Sequence, residues 1–304
     1  MLTIPADAPQ ETWLQHGGIR YCSRTWNHPQ PEFEPTLFLS GAFQTMESWR
    51  RFANVFARFT TVILVDPPGL GRSDGLPPEF GVDFLAESMR RLLDAHAIDR
   101  INIIAASYGT PAAYRLAQLY PDRIARIALG GTMRKIPLHV RDKVQETVDT
   151  ALKGDRQRLA QQVIDGLLCR DPRLAVQRRR VAERVLRSGL TRMSDTELRQ
   201  YAWNTSRLLQ HAPLDVSQPL RGPCALLFTG EHDCFTAPAH CMEMAAGFES
   251  AWVTTVLQAD HLFHIEQFDV VCALLLRFMR DTQLDSAAGC GAVTRTEYRI
   301  AAAV

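Results

Sequence analysis

Five short runs of mainly apolar residues, each followed by small or polar residues, constrain the fold of this chain more than any other feature. These runs lie at 36–39, 61–65, 101–106, 224–228 and 252–257. Because they do not alternate between apolar and polar residues, we predict that each is a strand buried on both faces. Amphipathic helical patterns lie between or after them, at 83–97, 110–120 and 268–280. Strands that alternate with helices predict an α/β fold with a parallel sheet covered on both faces.

Residues 133–217 interrupt this alternation. They contain no strand-like run, but four stretches have amphipathic helical patterns, at 138–153, 155–169, 172–189 and 195–211. We therefore predict a helical insertion, referred to below as the insertion, between two parts of one core. The core is predicted at 1–132, opening with a β-hairpin around Gly17-Gly18, and at 218–283. The final segment, 284–304, is rich in Ala, Gly and Thr and is predicted to be a mobile tail.

Composition excludes several classes of protein. Lys and Arg number 34 against 33 Asp and Glu, so the chain is not a generally basic nucleic-acid binder. The seven cysteines include no C-x-x-C pair, which gives no support to a metal site or a redox role. The beginning of the chain lacks a basic region followed by an apolar stretch, and no run reaches the ~20 apolar residues of a membrane span. We therefore expect a cytoplasmic protein.

A serine follows the third apolar run in a setting typical of a nucleophile. The sequence Ala105-Ala106-Ser107-Tyr108-Gly109 ends this predicted strand and precedes a predicted helix. A tight strand-to-helix turn exposes the serine hydroxyl, and small flanking residues let the strand and the helix approach closely. A helix N-cap is the alternative role for Ser107. We predict a nucleophile, because residues with matching chemistry follow the later strands.

The matching residues are an acid and a base, which a weakly nucleophilic serine hydroxyl requires. Asp233 follows the fourth run and His261 follows the fifth. The order Ser107, Asp233, His261 is expected when nucleophile, acid and base lie at the carboxyl ends of successive strands, where open α/β sheets place their sites. Neighbouring residues provide alternatives, namely His232 and His264 for the base and Glu231 and Asp260 for the acid.

Acyl transfer also needs two N–H donors for the oxyanion of its tetrahedral intermediate. The amide of Tyr108, directly after the predicted nucleophile, is one candidate. The other is expected from the loop after the first run, where Gly41 permits an unusual backbone conformation. We predict the amide of Ala42 as this second donor, with Phe43 as the alternative.

Together these motifs resemble the α/β-hydrolase superfamily over residues 12–132 and 218–280. The segment Asp66-Pro67-Pro68-Gly69-Leu70-Gly71-Arg72-Ser73 is similar to the family's D-x-P-G-x-G-x-S loop, and the serine turn departs from G-x-S-x-G at Ala105. The resemblance implies an α/β-hydrolase fold with an eight-stranded, mostly parallel sheet flanked by helices. It also implies a Ser-His-Asp triad, no cofactor, and an insertion in the position of the family's helical cap.

Within the superfamily, the chain is similar to one branch in several motifs. Its members include the synthases that make 3-(3-hydroxyalkanoyloxy)alkanoates, the lipid precursors of rhamnolipids, and the 3-hydroxyacyl-carrier-protein:CoA transacylases. Ser40-Gly41-Ala42 is similar to the Asn-Gly-Ala of this branch, whereas Ser107-Tyr108-Gly109-Thr110 replaces its S-W-G-G. The resemblance implies a serine acyltransferase acting on fatty or 3-hydroxyacyl esters or thioesters. The alternatives are an ester or thioester hydrolase and a non-catalytic ligand-binding member of the fold.

The insertion contains a basic stretch whose arginines are opposed only by Asp171 and Glu183. These arginines are Arg170, Arg173, Arg178, Arg179, Arg180, Arg184, Arg187 and Arg192. The simpler interpretation is a solvated helix face. Alternatively, Arg178, Arg179 and Arg180 dock an acidic acyl-carrier protein or the phosphates of CoA. This partner would be additional to the expected small-molecule acyl substrate.

Overall fold

The computed structural model describes residues 8–285 and 287–297, and in that part of the chain nine strands form one sheet. The strands are β1 (Gln10–His16), β2 (Ile19–Trp26), β3 (Thr36–Leu39), β4 (Val62–Asp66), β5 (Ile101–Ala106), β6 (Ile124–Gly130), β7 (Cys224–Gly230), β8 (Ser250–Val256) and β9 (Thr294–Glu297). Their order across the sheet is β1-β2-β4-β3-β5-β6-β7-β8-β9. The α/β fold class is therefore confirmed.

The directions of the strands correct the expected eight-stranded sheet. Strands β3 to β8 are parallel, whereas β1 and β2 add an antiparallel hairpin at one edge and β9 runs antiparallel to β8 at the other. The sheet is thus mixed and has nine strands in the described residues. All six parallel strands end at one edge, which is where the loops that carry chemistry meet.

Helices cover both faces of the sheet. The core helices are α1 (Arg50–Phe56), α2 (Val82–Ala95), α3 (Gly109–Leu119), α8 (Pro238–Ala245), α9 (Phe263–Glu266) and α10 (Phe268–Met279). Helices α2, α3 and α8 pack on one face, and α1 and α10 pack on the other. Alternate residues of one strand enter the two layers, as Leu37 and Phe38 do in β3. This explains why the central strands are apolar without alternation.

The insertion forms four helices between β6 and β7. These are α4 (Leu138–Leu152), α5 (Arg156–Leu167), α6 (Arg179–Thr191) and α7 (Asp195–Gln210). They pack pairwise and enclose an apolar cluster of their own. Helix α6 begins at Arg179, seven residues after the predicted start, because the preceding Arg178 has a left-handed backbone with a φ of 50°. The insertion follows the end of β6 and so covers the edge at which the parallel strands end.

Part of the segment 284–304, predicted to be a mobile tail, packs against the core within the described residues. Leu284 and Ala287 are buried against the face that carries α10, and β9 extends the sheet beside β8. Ser286 and residues 298–304 of that tail lie outside the described residues, as do residues 1–7 of the first predicted core part. No helix in the described part of the chain is long and apolar enough to cross a membrane.

Candidate active site

Ser107 lies in the turn between β5 and α3 with a strained backbone. Its φ of 48° falls in the left-handed region, which residues other than glycine rarely adopt. The turn is held by hydrogen bonds from the Ser107 amide to the carbonyl of Gly130 (2.9 Å) and from the Thr110 hydroxyl to the carbonyl of Ser107 (2.8 Å). A Cβ on Gly109 would lie 2.9 Å from the carbonyl oxygens of Leu39 and Ser40. Glycine there lets α3 begin directly against β3, and Ser107 is thereby left partly exposed at the edge of the sheet.

The structure brings Ser107, His261 and Asp233 together from three separate loops. The Oγ of Ser107 lies 3.2 Å from Nε2 of His261, and Nδ1 of His261 lies 2.9 Å from Oδ2 of Asp233. His261 and Asp233 are both buried. This arrangement is a continuous path from a serine hydroxyl through an imidazole to a carboxylate, which is the geometry that nucleophilic catalysis by serine requires.

Asp233 is held as a carboxylate by its neighbours. It accepts hydrogen bonds from the amides of Phe235 and Thr236 at Oδ1 and from the hydroxyls of Thr229 and Thr236 at Oδ2. Burial opposes ionisation, but the His261 charge and these hydrogen bonds prevail and lower the pKa of Asp233. Burial likewise opposes protonation of His261, yet the adjacent Asp233 charge raises the pKa of His261. The pair is therefore arranged to stabilise an imidazolium.

The alternative bases and acids occupy other positions. His232 faces Glu231 at 3.7 Å, and Glu231 accepts a hydrogen bond from the amide of Gln258. Asp260 accepts hydrogen bonds from the amides of His261 and Cys169 and so supports the backbone that carries His261. None of these carboxylates is hydrogen-bonded to the imidazole of His261 within residues 8–285 and 287–297.

Two buried acidic groups lie beside the His261 loop. Glu266 accepts a hydrogen bond of 2.6 Å from the amide of Asp260, and burial raises its pKa to about 8. Burial also raises the pKa of Asp260. The carboxyls are directed at backbone amides and so fix the loop after β8.

His264 orders the loop on the opposite side of Ser107. Its Nε2 lies 2.8 Å from Nε2 of Gln44, whose Oε1 accepts a hydrogen bond of 2.9 Å from the amide of Gly41. Burial, aided by the charge of His261, lowers the pKa of His264 to about 4, so the ring is neutral. Its Nε2 therefore accepts a hydrogen bond from Nε2 of Gln44. The sequence indicated a possible base here but gave no signal of this contact. The chain of contacts fixes the loop that contains Ala42.

The two amides predicted to receive an oxyanion are free to do so. Ala42 lies beside Ser107 in the wall of a small cavity, and Tyr108 follows Ser107 at the start of α3. In the part of the chain that the structure describes, neither amide donates a hydrogen bond to the protein. The buried carboxylate of Asp66 supports the same region, because it accepts hydrogen bonds from the amides of Met46 and Arg72.

Cavities reach Ser107 from different sides. The largest has a volume of about 540 Å³, within the ~300–1,000 Å³ of small-molecule sites, and lies between the core and the insertion. Its wall is mainly apolar, with Phe43, Ile136, Val140, Val144, Val163, Leu167, Leu208 and Phe235. A smaller cavity of about 60 Å³ borders Ser107 on the side of Arg134 and His211, and one of about 20 Å³ borders it on the side of Ala42. Ser107 lies in the wall of the largest of these cavities, which is referred to below as the main cavity.

The three candidate docking arginines lie on the insertion, away from these cavities. Arg178, Arg179 and Arg180 line a separate open groove at the start of α6. Arg179 donates hydrogen bonds to the carbonyls of Asp171 and Leu174, so its guanidinium stabilises the loop before α6. Among the described residues, no group of three or more His, Cys, Asp or Glu side chains is arranged to hold a metal ion.

Comparisons with known proteins agree with this architecture. The family model described as "alpha/beta hydrolase fold" matches residues 34–268. A poly(3-hydroxyalkanoate) depolymerase from Ectopseudomonas oleovorans is 23% identical over 256 residues, which cover 83% of this chain and 86% of that protein. The crystal structure of MGS-M2, an alpha/beta hydrolase enzyme from a Medee basin deep-sea metagenome library, superposes with a TM-score of 0.77 at 18% identity, covering 90% of this chain and 99% of the other. The enol-lactonase from Burkholderia xenovorans LB400 gives a TM-score of 0.74 at 22% identity, covering 88% and 99%. The chain belongs to the alpha/beta hydrolase fold family and is an enzyme of that family.

Proposed function

We propose that the protein transfers acyl groups through a covalent intermediate on Ser107. The observation that carries this proposal is the path from Ser107 Oγ to His261 Nε2 (3.2 Å) and from His261 Nδ1 to Asp233 Oδ2 (2.9 Å), which opens on an apolar cavity. Ser107 is the nucleophile, His261 the general base and then the general acid, and Asp233 the group that orients the imidazole.

The residues around Ser107 provide a chemical group for each step of the acyl transfer. Ser107 Oγ attacks the substrate carbonyl while its proton moves to Nε2 of His261, and Asp233 stabilises the resulting imidazolium. The amides of Tyr108 and Ala42 donate to the oxyanion. Collapse of the intermediate breaks the bond to the leaving alcohol or thiol, which takes the proton from His261. An acceptor hydroxyl, thiol or water then gives its proton to His261 and attacks the acyl group on Ser107. Collapse of this second intermediate breaks the bond to Ser107 Oγ, which takes the proton back from His261, and releases the product.

The main cavity supports a fatty or 3-hydroxyacyl substrate. Its apolar wall suits an aliphatic chain, because burying each methylene stabilises a bound chain by ~0.8 kcal/mol. The exposed side chains of Lys143 and Glu146 line the same cavity and mark its open side. The relative named as a depolymerase of poly(3-hydroxyalkanoate) supports esters of hydroxy acids as the substrate class.

We favour an acyltransferase of the rhamnolipid-precursor synthase type, and a carboxylic-ester or thioester hydrolase is the second candidate. Water is present at ~55 M in bulk, so transfer prevails only if the site holds its acceptor at high effective molarity and excludes solvent. The insertion supports transfer because it covers the sheet edge above Ser107. The names of the relatives support hydrolysis.

A carrier protein or a CoA thioester is the proposed donor of the acyl group. Arg178 and Arg180 support it, since their guanidinium groups have no hydrogen-bond or ion-pair partner among the residues that the structure describes. An exposed cationic surface attracts an acidic partner, and this attraction is screened by salt. Replacing both arginines with Ser should lower kcat/KM for carrier-protein substrates and leave that for simple nitrophenyl esters unchanged.

Product analysis by mass spectrometry tests the proposal. The purified protein is incubated with 3-hydroxydecanoyl-carrier protein, with the corresponding CoA ester and with nitrophenyl esters, and Ser107→Ala serves as the matched control. Dimeric hydroxy-acid esters or transferred thioesters as main products would support transfer. Free monomeric acid as the main product at saturating acceptor would identify a hydrolase. Equal turnover by Ser107→Ala would overturn the proposed chemistry altogether.

A further inference from the structure

A fully buried arginine on the insertion contacts the residue that follows the proposed nucleophile. Arg207 of α7 uses all five of its N–H groups, and every acceptor is uncharged. Nη1 donates to the hydroxyl of Tyr108 at 2.7 Å and to Oδ1 of Asn204 at 2.6 Å. The remaining bonds, of 2.6–2.9 Å, go to the carbonyls of Leu76, Pro77 and Phe80.

Asn204, one turn earlier on α7, completes the contact. The hydroxyl of Tyr108 donates to Oδ1 of Asn204 at 3.0 Å, so this hydroxyl is both donor and acceptor in the cluster. The Nδ2 of Asn204 donates to the carbonyl of Gly69 at 2.7 Å. Burial raises the pKa of Tyr108 against the effect of Arg207, which keeps the hydroxyl protonated and able to donate.

We propose that Arg207 and Asn204 are positioning residues that clamp the Tyr108 hydroxyl and thereby fix the direction of the Tyr108 amide that receives the oxyanion. This inference rests on the proposed function. The Tyr108 side chain and its amide belong to one residue at the start of α3, directly after the strained Ser107. A side chain held at its far end by two buried hydrogen bonds restricts rotation of the backbone to which it is attached.

The same helix also contacts the proposed acyl site. Thr205 and Leu208 of α7 line the main cavity, whereas Asn204 and Arg207 hold Tyr108. Displacement of α7 would therefore disturb the chain-binding wall and the oxyanion donor together. Catalysis by the core therefore depends on the correct position of the insertion.

The decisive variant is Tyr108→Phe, which removes the clamped hydroxyl and keeps the ring. Loss of an entire oxyanion donor lowers kcat by ~10²–10³-fold. A donor that is present but poorly directed should therefore lower kcat by only ~10-fold. We expect kcat for nitrophenyl octanoate to fall by that factor while KM stays unchanged, and labelling by a fluorophosphonate to slow in parallel. Gln200→Met is the matched control, because Gln200 also joins α7 to the loop after β4, through the carbonyl of Ser73, but does not contact Tyr108.

A double-mutant cycle separates positioning from stability. Asn204→Ala and Arg207→Met should each lower kcat in the parent but cause little further loss in the Tyr108→Phe background, because the clamp acts through that hydroxyl. If Arg207→Met fails to fold, Tyr108→Phe and Asn204→Ala still decide the matter. An unchanged kcat in Tyr108→Phe, additive losses in the cycle, or a rise in KM alone would overturn the proposal. Turnover that survives Ser107→Ala would instead overturn the proposed function on which it rests.

Discussion

The apolar cavity at Ser107 predicts a steep dependence of activity on acyl-chain length. Each buried methylene stabilises the bound chain by ~0.8 kcal/mol, so two methylenes contribute ~1.6 kcal/mol, or ~15-fold in kcat/KM. Along the series of nitrophenyl acetate, butyrate, hexanoate and octanoate, we expect kcat/KM to rise by up to this factor at each step. The rise should stop when the chain fills the cavity of about 540 Å³.

Val144→Trp should shorten the range of accepted chains. Val144 is partly buried on α4 and lines the cavity, so a larger side chain there extends into open space. If the indole displaces about four methylenes, a long chain loses ~3 kcal/mol, or ~200-fold in kcat/KM, whereas acetate is unaffected. Val185→Trp is the matched control, because Val185 is half exposed on α6 and does not line this cavity.

The assay is initial-rate hydrolysis of the ester series by the parent and both variants, with thermal unfolding measured for each. A flat chain-length profile in the parent would contradict the assignment of the cavity. An equal loss for acetate and octanoate in Val144→Trp would also contradict it, since that result indicates damage to the catalytic groups.

Three further predictions concern the site and its support. With nitrophenyl octanoate as substrate, His261→Ala should lower kcat about as much as Ser107→Ala, ~10⁶-fold. Asp233→Asn should lower kcat less, by ~10⁴-fold. A fully active His261→Ala variant would exclude His261 as the base. Since the pKa of His261 is raised above 6.5 and only the neutral imidazole accepts the Ser107 proton, kcat/KM should increase with pH through that raised pKa. Asp233→Asn removes the charge that raises this pKa, so the increase of kcat/KM with pH should occur at lower pH in this variant. If the increase stays at the same pH, a group other than His261 causes it. Gly109→Ala should lower both Tm and kcat, because the added Cβ meets backbone oxygens at 2.9 Å. The control is Gly189→Ala in α6, where the added Cβ meets nothing within 4 Å and Tm should rise. Equal changes of Tm in the two variants would refute the packing argument.

The sheet was predictable where its strands are apolar throughout. Strand β6 gave no clear signal, because Arg126 interrupts its apolar run. In the structure Arg126 pairs with Asp281 and stacks over the ring of Phe278, so the charge is tolerated at the end of the sheet remote from Ser107. Strand β9 was missed because Thr294–Glu297 is short, polar and mainly exposed, and only its backbone pairing with β8 makes it a strand.

The positions of Ser107, Asp233 and His261 could be predicted from chain order, because the ends of parallel strands meet at one edge of a sheet. The contacts of Gln44 and Arg207 could not. A glutamine in a loop and an arginine in a helix rich in polar residues are ordinarily solvated. Gln44 is partly buried and Arg207 fully buried because the loop after β3 and helix α7 pack against distant residues, His264 and Tyr108, which the sequence does not place beside them.

Labelling with a fluorophosphonate, followed by peptide mapping, tests the central claim most directly. The probe phosphonylates a serine only where a base activates its hydroxyl and donors stabilise the developing charge. We predict one modified residue, Ser107, complete loss of labelling in Ser107→Ala, and much slower labelling in His261→Ala. Modification of a different residue, or no modification of a protein that turns over esters, would contradict the account.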